Sequence, residues 1–575
     1  MSRSNNKLAH KAAEKRRKER RYEEVLVKSD HAYTQSLSKD FGTHLQQLSQ
    51  EEKVAVSRNL GLRNYLLILS SGHSMTPRSG VYSHIDPSGL LSTVEKAIDE
   101  VLPHLSREFG DKIKKFDLRQ VEKFGPQGGT PPGNEAALQL AEEFAAGPQP
   151  TLFGDSKWHH AIILAASLLG FTRILSPLQT PDVVNRMQSE GKLATNSGMP
   201  FFTKRSIDVV RQAAITSAID GSCYQYPAVA LYRYYNHKLR PVWMFPMGAN
   251  VLESSYTFVL EDAIRTSANP KVRAFFSPWE GFTQVEQFMT WMWPSQRCVG
   301  GDIHAMDAFF KRAQMRQAYL LAREAFLPSY WGSLEVNMMH VNEIPIIVGP
   351  ANKLVGWHGV ASGSSWTQMA ETLFQFICYC YLAITQGCSG YIAVGDDSAS
   401  FWPELHRERK DFYIRFFASV GLPANLEKQY DEEDEIVFLQ RLFLRSWKSR
   451  DDKNRLGGIY PIIRALKSIV YPEHRHDKWN DDMECLRLVS ILENCVNHPL
   501  YEWFTEWIAN GFPPLIAFAQ RTADELKSVV EQYAGVPGVF ETYNREKKDK
   551  SLSSYDTIHL IKSLSMKQPM AVPKR

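Results

Sequence analysis

Four aspartates in two short motifs are the residues of this sequence best placed to do chemistry. Asp302 and Asp307 bracket Ile303-His304-Ala305-Met306, and Asp396 and Asp397 follow Gly395. Carboxylates that converge repel one another unless a cation neutralises them. An all-oxygen donor set selects a hard divalent ion, Mg²⁺ with Mn²⁺ as a substitute. Two such ions about 3.5–4 Å apart clamp the attacking and leaving oxygens of a phosphoryl transfer. Between the motifs runs Ser362-Gly363-Ser364-Ser365-Trp366-Thr367-Gln368-Met369-Ala370-Glu371. A glycine-containing loop there opens a helix, and Thr367, Glu371 and Gln375 repeat at i+4 along one face. Each motif alone is ordinary turn or cap chemistry. Their order and combination carry the reading.

The elements that must position them follow from hydrophobic period and turn signals. Residues 298–303 read as a strand delivering Asp302, and 308–326 as a helix. Residues 367–384 keep the amphipathic helical period through Met369, Leu373, Phe376, Cys380 and Ile384. Residues 391–394 and 398–401 read as strands of a hairpin with Gly395-Asp396-Asp397 at its tip. Gly395 permits the turn and leaves room for a nucleic-acid backbone. Pro403 opens a further helix with Leu405, Phe412, Phe416 and Val420 as its stripe and Gly421 as its stop. Strand, helix, helix, hairpin, helix is an α+β unit with an antiparallel sheet.

The rest of the chain is that of a large globular protein. Of 575 residues, 43% are hydrophobic and 23% charged, enough to bury a core of several domain-sized units. Wholesale disorder, collagen-like repeats and a small disulfide scaffold are excluded. The longest near-apolar runs, 161–171 and 374–384, are 11 residues each, short of the roughly 18 that span a bilayer. No membrane is therefore expected as a partner. No apolar segment follows the basic N-terminus, so no secretory signal is expected. Seven cysteines without a zinc-type pair fit buried thiols in a reducing compartment. Residues 1–21 hold nine basic and two acidic side chains, whereas the remainder holds 58 basic and 61 acidic. This segment reads either as an arm that meets an acidic partner or as a solubilising tail. Residues 125–133 (GPQGGTPPG) read as a surface loop, and 545–550 as a solvated charge cluster.

With these motifs in this order, the chain resembles the viral RNA-dependent RNA polymerases. Their motif A (D-x4-D), motif B (SG-x3-T with a polar residue four on) and motif C (GDD) match Asp302/Asp307, Ser362-Gly363…Thr367…Glu371 and Gly395-Asp396-Asp397. Thr195-Asn196-Ser197-Gly198-Met199-Pro200 is similar to motif G. Arg233…Lys238-Leu239-Arg240-Pro241-Val242 is similar to motif F, Gly421-Leu422…Lys428 to motif D, and Phe438-Leu439-Gln440-Arg441-Leu442-Phe443 to motif E. The resemblance covers about residues 195–445. Its SGS-x2-T-Q form and the chain length look most like the partitivirus and picobirnavirus enzymes of segmented double-stranded RNA viruses. One position departs: the residue four after the motif B Thr is Glu371, where partitivirus-like enzymes have Asp and many others Asn.

The resemblance implies an α+β right-hand polymerase. Residues 1–29 would form a basic arm, 30–295 fingers, 296–312 palm with motif A, 313–350 a fingers segment, 351–448 palm with motifs B to E, and 449–575 thumb. It implies RNA-directed RNA synthesis, replicating and transcribing a viral genome. Asp302, Asp396 and Asp397 would hold two Mg²⁺ ions. Asp307 and Glu371, with Ser362, Gly363 and Thr367, would read the incoming ribose, whose 2′-hydroxyl separates RNA from DNA. Arg233, Lys238 and Arg240 would bind the triphosphate, and Lys428 would protonate the leaving pyrophosphate. Ser197, Gly198 and Pro200 would meet the template. For Arg233 and Lys428 a solvated surface position is the structural alternative, and for Glu371 a salt bridge on the helix face. The implied partners are RNA template and product, ribonucleoside triphosphates and a viral capsid protein, in the host cytoplasm and inside the virion. Two other functions compete: a reverse transcriptase, against which Val394-Gly395-Asp396-Asp397 and the SG-x3-T loop speak, and a catalytically silent RNA-binding protein, against which the intact aspartates speak.

Overall fold

The computed structural model describes residues 44–564, apart from 106, 131, 133–143, 145–147, 361–362, 476–477, 534–535, 537 and 540–550. The expected N-terminal arm and Ser362 lie outside the described residues. The strands in chain order are β1 (His44–Gln47), β2 (Ala228–Tyr235), β3 (Lys238–Met244), β4 (Arg297–Asp302), β5 (Ile346–Ile347), β6 (Asn352–Val355), β7 (Gly390–Val394), β8 (Asp397–Trp402), β9 (Glu435–Phe438) and β10 (Arg441–Leu444). Among the described residues they form a three-stranded sheet in the order β4-β8-β7, a five-stranded sheet in the order β1-β6-β5-β2-β3, and the β9–β10 hairpin. The three-stranded sheet is antiparallel throughout, as the sequence predicts. Cys298, Ile392, Ala399 and Phe401 share a core with Ile436, Phe438 and Phe443, so β9 and β10 pack on one face of that sheet.

The other face carries the helix Trp366–Gln386. It is buried nearly all round because it packs on the helices Ser156–Leu169 and Arg312–Ala322 as well as on β7. Around it lies the largest core, which reaches from Leu45 to Leu422 in the chain. A second core is built from the C-terminal helices but also takes in Val81, Leu90, Val94, Ile98, Leu102, Ile113 and Phe116. The helices Pro87–Val101 and Arg107–Leu118 therefore pack with residues 442–561. Asp117 fastens the two parts. Its carboxylate accepts from the Ile463 backbone N–H at 3.1 Å and from His498 Nε2 at 2.8 Å, with both side chains fully buried. β5 and β6 are paired across residue 351, so one hairpin spans the expected boundary between residues 313–350 and 351–448.

Three expectations are corrected. The segment 308–326 is two helices, Met306–Phe309 and Arg312–Ala322. Phe310 is buried between them with its carbonyl held by Asn342 Nδ2 at 3.0 Å, and Gln314 Oε1 accepts from Lys311 N to restart the helix. The helix after the hairpin begins at Lys410, not Pro403. Its N-terminal N–H groups, Arg409 and Lys410, are satisfied by Asp431 Oδ2 at 2.5 and 2.7 Å, a cap supplied from distant sequence. The 125–133 loop is not a surface loop over its described part. Gln127 is 2% exposed, and its amide donates to the Tyr471 carbonyl at 2.7 Å. Gly128 N donates to Tyr234 O at 3.0 Å. All seven cysteines are unpaired and buried, and among the described residues no helix is long and apolar enough to cross a membrane.

Candidate active site

Pairing of Val394 with Asp397 leaves Gly395 and Asp396 as a two-residue turn, with Gly395 at φ +57°. The Trp366–Gln386 helix holds this turn from below. Gln375 Nε2 donates to Gly395 O at 2.6 Å, Gly395 N donates to Thr372 Oγ1 at 3.3 Å, and Tyr391 O–H donates to Gln375 Oε1 at 2.9 Å. Gln375 thus falls on the face the i+4 spacing predicts. Thr372, fully buried, was not legible as a site residue. Across the sheet Asp302 stands opposite Asp397, and Ile303 N donates to Asp396 O at 3.1 Å. The three aspartates therefore share one end of one sheet. Beyond Asp302 the chain takes a left-handed bend at Ala305 (φ 45°), which turns the strand end into the short helix bearing Asp307.

Electrostatics at this end are those of crowded negative charge. Asp396 is reachable by solvent, yet the protein packed around it and the charges of Asp302 and Asp307 push its carboxyl up to about 6. Burial, then Asp396 and Asp302, hold the Asp397 carboxyl well above its ordinary range. Asp302 is partly compensated: Asn425 Nδ2 donates to one oxygen at 3.1 Å and Lys428 Nζ to the other at 2.9 Å. Lys428 is thus an ion-pair partner of Asp302 rather than a bare surface lysine. Among the described residues no three His, Cys, Asp or Glu side chains already enclose an ion. The donors nevertheless fit a hard divalent cation: all are carboxylate oxygens at a strand end, and their mutual repulsion is what such a cation relieves.

Glu371 is 4% exposed, so it is not a salt bridge on an open helix face. It hydrogen-bonds Asp307. Burial and the neighbouring Asp307 and Asp396 raise its carboxyl well above the ordinary range; burial raises that of Asp307 as well, opposed by the bond with Glu371 and the charge of Arg240. Both carboxyls are raised, so the pair favours a proton shared between them over two charges. Thr367, one turn earlier, is 6% exposed. Gly363 lies at φ +138°, and a Cβ there would stand 1.9 Å from Trp243 O, so the loop passes too close to β3 for any side chain at this position.

The expected cations divide. Arg240, exposed on β3, is close enough to Asp307 to favour its charged form. Lys238 is exposed near the β2–β3 turn. Arg233 makes a two-pronged ion pair with Glu473 at 2.5 and 2.6 Å, so it ties β2 to the C-terminal region. Reasoning from sequence missed Lys123, Arg464 and Lys467. Burial, with Arg464 and Lys123 nearby, pushes the Lys467 ammonium down to about 7. It sits 4.3 Å over the Tyr235 ring, and Arg464 donates to Tyr235 Oη at 3.0 Å. Arg464 and Lys428 both favour the charged form of Asp397, so the cluster borders the acids. The available signal was two cations three apart in the otherwise apolar helix Ile462–Val470. Of the expected template contacts, Ser197 and Gly198 are buried and Pro200 is exposed, its carbonyl taken by Asn59 at 2.7 Å. Ser197 and Gly198 shape this loop instead of facing an open surface.

No protein-family model matches the chain. A potential RNA-dependent RNA polymerase of human picobirnavirus (strain Human/Thailand/Hy005102/-) is 25% identical over 488 residues, which span 79% of this chain and 85% of the relative. The crystal structure of the RNA-dependent RNA polymerase of a human picobirnavirus superposes with a TM-score of 0.75 at 21% identity, covering 90% of this chain and 100% of that one. The insertion-loop deletion mutant of such a polymerase superposes with a TM-score of 0.71 at 21% identity over the same shares. The acidic hairpin thus sits in a right-hand polymerase fold, and in sequence and architecture the chain is similar to the RNA-dependent RNA polymerases of picobirnaviruses.

Proposed function

We propose that this chain is an RNA-directed RNA polymerase that extends RNA by transferring a nucleotidyl group from a ribonucleoside triphosphate to a 3′-hydroxyl. The observation that carries the reading is the set Asp302, Asp396 and Asp397 at one strand end, with the Asp307–Glu371 pair beside it. Those three aspartates would hold two Mg²⁺ ions, or Mn²⁺, which when bound lower the pKa of the attacking hydroxyl and neutralise the departing charge. Asp307, kept in place by its pairing with Glu371, would accept from the ribose. Lys238 and Arg240 would meet triphosphate oxygens, joined by Arg464 and Lys467. Arg233 would contribute only after release from Glu473. Lys428 would leave Asp302 to protonate pyrophosphate. The template would pass along Thr195–Pro200 and the 363–365 loop.

In this reading β4, β7, β8, β9 and β10 with the Trp366–Gln386 helix are palm. The five-stranded sheet belongs to fingers, and the helices after Tyr460 form the thumb together with residues 78–124. The setting is replication and transcription of a viral genome in the host cytoplasm and within a virion, beside a capsid protein. Similarity to picobirnavirus enzymes supports it.

Incorporation on an RNA template, with ribo- and deoxyribonucleotides in parallel, tests the reading. The chain should add ribonucleotides in preference, and Asp396→Asn should abolish addition while leaving the fold intact. A variant retaining more than about a tenth of the rate, a loss under about 1.4 kcal/mol, would sink the assignment of Asp396. Deoxyribonucleotide preference would point to a reverse transcriptase, and no incorporation with retained RNA binding to a silent relative.

A further inference from the structure

One helix touches both the template-side segment and the loop that opens the nucleotide-reading helix. On Met247–Arg265, Asn250 and Glu253 are 2% and 1% exposed. The Glu253 carboxylate accepts from Ser365 N at 2.7 Å and from Asn250 Nδ2 at 3.1 Å. Asn250 Nδ2 also donates to Gly363 O at 3.0 Å, and Ser254 Oγ lies 2.9 Å from Ser365 Oγ. On its other side, Asn250 Oδ1 accepts from Arg205 Nη2 at 2.7 Å, and Arg205 Nε donates to Asn196 O at 2.9 Å. Asn196 Oδ1 in turn holds Gly198 N at 2.8 Å, and Met247 N donates to Ser197 O at 2.8 Å.

These bonds run unbroken from Gly198 through Asn196, Arg205 and Asn250 to Gly363 and Ser365. The Ser365 side chain makes no cap bond to the Trp366–Gln386 helix; Ser364 Oγ accepts from Trp366 N at 3.0 Å, and Glu253 supplies a second acceptor at this end through Ser365 N. The helix dipole favours negative charge there, while burial pushes the Glu253 carboxyl up to about 7. Above the network lies a cavity of about 380 Å³ whose lining includes Lys192, Thr195, Arg205, Ser364 and Gln368, groups that suit a nucleic-acid backbone and its bases.

We propose that Asn250 and Glu253 are positioning residues that lock the 195–205 segment and the 363–365 loop into one unit, so that seating of the template and selection of ribose are coupled. This rests on the polymerase reading above. A template strand that shifts Asn196 or Arg205 pulls on Asn250, which pulls on Gly363 and thus on the turn carrying Thr367 and Glu371. Burial of Asn250 and Glu253 excludes water from replacing either bond cheaply.

The test measures two quantities on each variant, with active enzyme counted by titration: the Kd for an RNA template, and the ratio of kcat/KM for ribo- over deoxyribonucleotides. Asn250→Ala should raise the Kd and lower the ratio, each about fivefold or more. Glu253→Gln keeps an acceptor for Ser365 and removes the ionisable group, and should move both quantities in the same direction by less. Ser255→Ala, on the same helix but bonded only to Leu252 O, should move neither. A thermal melt accompanies each, and if Asn250→Ala fails to fold, Glu253→Gln carries the test. A change in one quantity without the other overturns the coupling. A drop in active fraction with Kd and ratio unchanged, the mark of a merely structural role, overturns it as well. Wild-type chain that incorporates nothing would instead defeat the polymerase reading itself.

Discussion

Glu371 invites the sharpest perturbation, because it is buried beside Asp307 with the charge of Asp396 also near. It is 4% exposed, and burial with the charges of Asp307 and Asp396 raises its carboxyl well above the ordinary range, so we expect it to hold the proton of the pair and to donate to Asp307. A hydrogen bond to a charged group is worth roughly 1.5–3 kcal/mol. At about 1.4 kcal/mol per factor of ten, that converts to between about tenfold and somewhat over a hundredfold. Glu371→Ala removes the donor and leaves half-buried Asp307 without its partner. If Asp307 reads the ribose, the kcat/KM ratio for ribo- over deoxyribonucleotides should fall by about that factor, since discrimination is a difference in transition-state binding. Glu371→Gln is the informative control. Its amide N–H can donate where the acid O–H does, so it should retain most of the ratio. An ionised Glu371 would make the opposite prediction, with Gln as damaging as Ala. Single-nucleotide extension with both sugars measures the ratio directly. Equal selectivity in wild type and Glu371→Ala would refute the link from Glu371 through Asp307 to the sugar.

Three more outcomes are expected. The Asp396 carboxyl, raised from 3.8 to about 6, binds its proton more tightly folded than unfolded. Native stability is therefore lost as pH rises from about 4 to about 6. In metal-free buffer Asp396→Asn should melt above wild type at pH 7 and level with it near pH 4, and Mg²⁺ should raise the wild-type Tm more; equal melting at both pH values would count against the charge crowding. Gly363→Ala forces a Cβ to 1.9 Å from Trp243 O at φ +138°, a strain of order 1–3 kcal/mol or more, and should cost at least tenfold in incorporation; an unimpaired variant would show the loop free to relocate. Deleting residues 1–21 removes a net charge of seven and should flatten the salt dependence of RNA binding while leaving extension on saturating template unchanged; an unaltered slope would favour the solubilising tail.

What the sequence discloses here is what is local. Gly395 between two short apolar runs names its own hairpin, and the period of Met369 to Ile384 names its own helix, since turn chemistry and amphipathic spacing are written within a dozen residues. The aspartates could be brought to one strand end on that basis. The departures all have distant causes. The helix at Lys410 starts where Asp431 caps it, and no residue near Pro403 foretells that. The Gly-Pro-rich stretch near Gln127 looks solvated until Tyr471 and Tyr234 close over it. Arg233 reads as a phosphate ligand because nothing in β2 points to Glu473, 240 residues away. Lys123, Arg464 and Lys467 are unremarkable singly and become a group only when residues 121–124 and the helix Ile462–Val470, more than three hundred residues apart, pack into one core.

The second core has a consequence for how the chain is made. Val94, Ile98 and Phe116 leave the ribosome long before the residues that cover them, which lie between Leu442 and Ile561. The helices Pro87–Val101 and Arg107–Leu118 must wait for more than three hundred further residues before their apolar stripes can be shielded. Contacts of such sequence separation close slowly, because loop-closure entropy comes due before any burial is gained. During synthesis these stripes are exposed and open to aggregation or to a chaperone. A fragment ending after β10 would carry the whole acidic hairpin and still leave these stripes without the helices that cover most of them. The C-terminal quarter of the chain thus acts as the late shield of its own beginning.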